Sequence, residues 1–159
     1  MVHSLKRVQL LPISLEEAWD FFSSPVNLKN ITPAQMGFKI LMEMPPKIYP
    51  GMIISYNLKP FPGFSINWVT EITQVKHMEY FVDSQLSGPY GIWHHEHYFK
   101  KVDRGVEMTD LLYYKLPFGF LGHIINFLVV RKKIENIFTY RFNILNQKFG
   151  VPNQGPSRN

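Results

Sequence analysis

FGFLGHIINFLVVRKKIENIFTYRFNILNQKF, residues 118–149, is the stretch whose reading decides the fold. Leu121, Ile124, Ile125, Leu128, Ile134, Phe138, Leu145 and Phe149 recur at steps of three and four, the period of one helix face. No proline lies between Pro117 and Pro152, so nothing inside forces a break, and Gly150 followed by Pro152 is a stop signal. At ~1.5 Å per residue the spacing predicts a helix roughly 45 Å long.

Upstream, strand patterns dominate. Residues 2–11 read as a strand ended by Pro12. Ser14 with Glu17 three residues on forms a capping box ahead of the helical spacing Leu15, Ala18, Trp19, Phe22. A second short helix is expected over 26–31. Strands follow at 38–42, 52–58, 64–75, 79–86, 92–102 and 106–116, separated by Pro- and Gly-bearing turns. The hairpin around Asp103-Arg104-Gly105 is the clearest. If Asp103 pairs with Val106, Phe99 lies opposite Asp110, His97 opposite Leu112 and His95 opposite Tyr114. The order of strand, two short helices, a run of strands and one long helix predicts an α+β protein. Its curved antiparallel sheet, of about seven strands, wraps on the C-terminal helix. Residues 1–150 form one domain, and 151–159 read as a disordered tail.

The 159 residues are 45% hydrophobic, 15% aromatic and 18% charged. Thirteen Phe, eight Tyr and three Trp suit a lined cavity as well as a solid aromatic core. The absence of cysteine excludes disulfides and thiolate chemistry and suits a reducing compartment. The first residues lack the apolar run of a signal peptide. The most apolar run, 118–130, is shorter than the ~20 residues of a membrane span. The expectation is a cytoplasmic protein, monomer or weak dimer, with no membrane span. A net charge of +5 could attract anionic partners. Beyond Arg131-Lys132-Lys133 the basic residues are scattered, so a specific nucleic-acid site is not expected.

His94, His95 and His97 are the densest ionisable cluster. Alternation puts Trp93, His95, His97 and Phe99 on one face, taken as the concave one, with His94, Glu96 and Tyr98 on the other. Asp110 and Tyr114 share the concave face on the neighbouring strand, Asp110 diagonal to His97, and Asp83 and Gln85 add polar groups from another. Three readings stand open: a buried hydrogen-bonded pair that fixes the hairpin, polar groups that orient a hydrophobic ligand, or a His–Asp acid–base pair, with His95, His97 and Asp110 as candidates. Two histidines and Asp110 are too few for a recognisable zinc pattern, so no metal and no cofactor is expected. Arg141 is either a helix-end cation facing water or an inward partner of Asp83 or Asp110. Trp68 reads as a cavity wall. Phe61 and Phe64, flanking Pro62-Gly63, read as a gate or a packed turn.

Residues 81–85 (FVDSQ), 88–90 (GPY), 93–99 (WHHEHYF), 110–117 (DLLYYKLP) and 137–141 (IFTYR) resemble a bacterial branch of the START-like, or SRPBCC, superfamily, whose members are often labelled ligand-binding or cell-division-inhibitor-like proteins. The likeness spans about residues 2–149 and departs at Val106, where the hairpin's Gly-Thr is expected. It implies the helix-grip fold and a cavity between sheet and helix. It also implies one of two activities: binding of a small hydrophobic molecule, or polyketide cyclase- or dehydratase-like catalysis. The lining set expected is Trp68, Phe81, Asp83, Gln85, Trp93, His95, His97, Phe99, Asp110, Tyr114, Phe138 and Arg141.

Overall fold

The computed structural model describes residues 1–61 and 63–151, with the side chains of Phe61 and His123 outside the description. Pro62, and all but Val151 of the tail expected to be disordered, therefore lie outside the described residues. Strand β1 (His3–Leu11) leads into helix α1 (Leu15–Phe22) and a 3-10 turn (Pro25–Ile31). A single-turn 3-10 segment (Ala34–Met36) and the two-residue β2 (Lys39–Ile40) follow. Then come β3 (Met52–Phe61), β4 (Phe64–Lys76), β5 (Tyr80–Ser87), β6 (Ile92–Val102) and β7 (Gly105–Lys115). The chain closes with α2 (Gly119–Ile125), a π-turn (Asn126–Val130) and α3 (Arg131–Phe149). The sheet has seven strands in the order β1-β7-β6-β5-β4-β3-β2, and every pairing is antiparallel. This is the α+β helix-grip architecture that the sequence predicts.

The local reasons are legible. Ser14 Oγ accepts from the Glu17 amide at 3.0 Å, so the N-cap of α1 forms as its sequence requires. That helix buries Ala18, Trp19, Phe21 and Phe22 against Phe81, Phe99, Met108 and Leu145. A second cluster, Met52, Ile54, Tyr56, Leu58, Trp68 and Ile72, fills the concave face of β3 and β4. A third joins Leu112 and Tyr114 of β7 to Ile134 and Phe138 of α3. Gln9 ties β1 to α3, donating to Phe142 O at 3.0 Å and Asn146 Oδ1 at 2.9 Å.

Two expectations are corrected. First, the β6–β7 register is displaced by two residues. Val102 pairs with Gly105, so His97 faces Asp110 directly, His95 faces Leu112 and Trp93 faces Tyr114. The turn is Asp103-Arg104, and Gly105 is already in the strand at φ +128°. A Cβ there would lie 2.1 Å from the carbonyl oxygen of Leu11, so the glycine admits the end of β1 rather than shaping the turn tip. Because the slip is an even number of residues, each side chain keeps its face.

Second, the apolar stripe of the long helix is not buried along its length. Ile134, Phe138 and Leu145 are buried, but Leu121, Ile124, Ile125 and Leu128 are exposed. The π-turn interrupts the helical period there. The residues of α2 pack chiefly on their own continuation and not on the sheet. Asn126 is the buried residue of the π-turn, and its side chain meets the Tyr114 hydroxyl.

Candidate functional site

Adjacent strands bring four ionisable side chains into one row. Asp83 on β5 pairs with His95 on β6, and His97 on β6 pairs with Asp110 on β7. The two imidazoles stand two residues apart on the same strand face, with ring centroids 3.8 Å apart. Each ring is held between the same two carboxylates. His97 Nε2 lies 2.9 Å from Asp83 Oδ2, and His95 Nε2 lies 3.0 Å from Asp110 Oδ1. His95 Nδ1 is 3.6 Å from Asp83 Oδ2. His97 Nδ1 is 2.8 Å from Asp110 Oδ1 but without hydrogen-bond alignment. Arg141 comes inward from α3, and its Nη1 donates to Asp110 Oδ1 at 3.3 Å. Of the two readings of Arg141, the inward one matches the geometry.

The electrostatics follow from burial and from this arrangement. Burial alone pushes the Asp110 carboxyl up, but Arg141 and the two imidazoles reverse this and hold it well below the usual carboxylate range. Asp83 behaves the same way, with the His97 hydrogen bond as the strongest force against burial. Burial pushes both imidazoles down. For His95 the neighbouring His97 adds to that, and its pKa falls. For His97 the close carboxylates of Asp110 and Asp83 outweigh burial, and its pKa rises. The two imidazoles are therefore driven apart, His97 toward the protonated form and His95 toward the neutral one. The two carboxylates are paired with Arg141 and with the imidazoles, the condition under which buried charges persist. Asp83, His95 and His97 offer donor atoms within 4.8 Å of one another, a spacing that could hold a metal ion.

Beside this network lies a cavity with about 140 Å³ open to the centre of a water-sized sphere. A cavity needs only about 10–15 Å³ on this measure to admit one water, so there is room for several waters or one small organic molecule. Its wall is mainly apolar: Phe21 and Phe22 of α1, Leu28 and Ile31 of the 3-10 turn, Ile48 of the loop before β3, Ile54 and Ile72 of the sheet, and Phe81 and Trp93. Asp83, His95, His97 and Arg141 form its polar end, with Tyr56 and Thr70 nearby. The Tyr56 hydroxyl and Thr70 Oγ1 are 3.2 Å apart, and burial pushes the phenol pKa up.

Of the residues expected to line a site, Phe81, Asp83, Trp93, His95, His97 and Arg141 meet at this cavity. Asp110 sits beneath it, completing the charge set. Trp68 stands behind the wall, packed on Tyr56, Tyr90 and Trp93. Phe99 is packed among Trp19, Phe22 and Phe81. Phe138 abuts His95 edge-on at 5.5 Å, and Tyr114 packs against Trp93 and Tyr90. Gln85 closes the turn after β5, donating to Tyr90 O at 2.7 Å and accepting from the Tyr90 amide at 3.2 Å. Phe64, in the suggested gate, is exposed at the start of β4. Sequence reasoning missed the wall supplied by α1, the 3-10 turn and Ile48. Ile54 and Tyr56 carried a usable signal, since they face Thr70 and Trp68 across β3–β4. Ile48 lies in an irregular loop and carried none.

No protein-family model matches the chain, and no curated protein matches it. Solved structures do. An aromatase/cyclase, Zhui, from Streptomyces superposes with a TM-score of 0.70 at 10% identity, covering 93% of each chain. A protein of Thermus thermophilus gives 0.69 at 13% identity, over 92% of this chain and 97% of the other. Major latex-like protein 151 of Panax ginseng gives 0.67 at 11% identity, over 94% and 98%. At these identities the likeness is one of fold, and the fold is the helix grip.

Proposed function

From a helix-grip fold with an apolar cavity and a buried polar end, we propose that the protein binds a small, mainly apolar molecule carrying one oxygen acceptor. The observation that carries this reading is Arg141. It lines the cavity, and its buried Nε has no protein partner among the described residues. A buried guanidinium donor aimed at no acceptor is costly, and a ligand oxygen would satisfy it. Magnitudes support a mixed ligand. A single ring burying about 150 Å² gains about 4 kcal/mol at about 25 cal/mol per Å². Ordering costs consume much of that gain. Micromolar binding therefore needs the polar end as well.

The test is native mass spectrometry of the purified protein, followed by calorimetric titration of a neutral single-ring aromatic alcohol. Leu28→Trp places an indole into the cavity wall and should abolish the binding heat while the thermal midpoint stays near wild type. Equal affinity in a folded Leu28→Trp protein would overturn the reading.

A second reading is supported by the opposite pKa directions at the cavity: His97, raised, and His95, lowered, would serve as an acid–base pair on a carbonyl compound. The aromatase/cyclase of the same fold is consistent with it. Under this reading His95→Gln removes turnover while binding survives, because glutamine exchanges no proton. Under pure binding the same change weakens affinity modestly.

A further inference from the structure

The start of the long helix is apolar on most of its circumference and yet faces solvent. Phe118, Phe120 and Phe127 are 77%, 78% and 75% exposed, and Leu121 and Leu128 are 64% and 65% exposed. Ile124, Ile125 and Val129 are exposed as well. A helix that is hydrophobic all round is normally buried, and monomers seldom leave so contiguous an apolar surface in water. These side chains belong to no core cluster and to none of the cavity wall.

Charge selects the covering partner. Residues 111–134 contain Lys115, Arg131, Lys132 and Lys133 and no carboxylate. Arg131 and Lys132 follow the apolar segment directly, and Lys132 is exposed. Arg131 has one acidic neighbour, Glu135 at 3.2 Å, on its far side along α3. A second copy of the chain would bring the same cations and no acidic complement from the patch. A surface with an apolar interior and an anionic skin matches both features. Length selects the mode of contact: α2 and the π-turn together, Gly119–Ile125 and Asn126–Val130, extend about 18 Å at ~1.5 Å per residue. That is short of the roughly 30 Å hydrocarbon core, and among the described residues no helix is long and apolar enough to cross. The geometry is that of a segment lying in the interface, with phenylalanines below the headgroups and basic stems reaching up to them.

We infer that residues 118–130, with Arg131 and Lys132 beside them, dock the protein on anionic lipid membranes. The inference is independent of the cavity, since the two surfaces share no residue. Each basic residue at an anionic surface changes partitioning by about five-fold.

The test is vesicle flotation with pure phosphatidylcholine and with phosphatidylcholine containing phosphatidylglycerol. Wild type should float with the anionic vesicles at least ten-fold better than with the neutral ones, and less as salt rises. Lys132→Glu should lower anionic binding several-fold. A Phe120→Ser, Phe127→Ser, Leu128→Ser triple variant changes only exposed side chains, so its circular dichroism and melting should match wild type while flotation is lost. In a Phe127→Trp protein the new fluorescence should shift to the blue and be quenched by bromine on the upper acyl chain. No flotation of wild type on anionic vesicles overturns the inference, as does equal flotation of a folded triple variant. So does light scattering that finds a wild-type dimer and a monomeric triple variant, because the patch is then an interface between copies.

Discussion

His97 is held toward its protonated form by the two carboxylates, and this gives stability a dependence on pH. Its pKa in the fold lies above the ordinary imidazole value. The contribution is therefore fully present below about 6.5 and is lost as pH rises through the folded value. In denaturant titrations the stability gap between wild type and His97→Gln should be largest near pH ~5.5 and shrink toward pH ~8. A gap that widens with pH would mean the proton sits elsewhere. Asp83 and Asp110 act at the other end. Their depressed values give stability present above the ordinary 3.8 and lost as pH falls through the folded ones. Much of this cluster was legible, because alternation alone puts His95, His97 and Asp110 on one face. The Asp83–His97 bond was not, since it depends on how β5 and β6 register, which alternation along one strand does not give. Arg141 remained ambiguous because helical spacing gives a face but not the depth of the neighbouring sheet.

At the scale of elements, the long helix divides into a part that grips and a part that does not. Phe138 packs against Ile134, Leu112 and His95. Phe138→Ala should cost about 3–5 kcal/mol in chemical denaturation. Leu128→Ala, one residue type of the same periodic stripe, should stay within about 0.5 kcal/mol because its side chain is exposed. Equal losses at the two positions would contradict this division. Period alone could not separate them, since apolar spacing reports that a face exists and not what covers it. The hairpin shows a related limit. Gly105 signals a turn in sequence, but its role depends on the carbonyl of Leu11, which arrives from the other end of the chain.

At the scale of the molecule, the basic excess is distributed rather than gathered. Beyond Arg131-Lys132-Lys133 the basic residues are scattered along the sequence, and Lys47, Lys76 and Arg141 are paired with Asp20, Glu79 and Asp110, so the sequence offers no long basic run to follow a phosphate backbone. DNA and RNA should bind only weakly and release readily with salt, and sub-micromolar binding in a gel shift at physiological salt would contradict that. The strand order carries one more consequence, for the path by which the chain reaches this state. Strands β3 to β7 follow one another through short turns, so each pairing closes a small loop. The partner of β7 on its other side is β1, and Arg7 meets Asp110 only when nearly the whole intervening chain is in place. Closing so long a loop is entropically slow. Loop closure therefore predicts that the meander of β3 to β7 pairs first, with His97 opposite Asp110 inside it. In the folded chain Gln9 ties the first strand to the last helix, which carries Arg141, so the late docking of the one is expected to accompany that of the other. In that order Asp83 and Asp110 come together with the two imidazoles before Arg141 reaches them, and the polar end of the cavity is completed last.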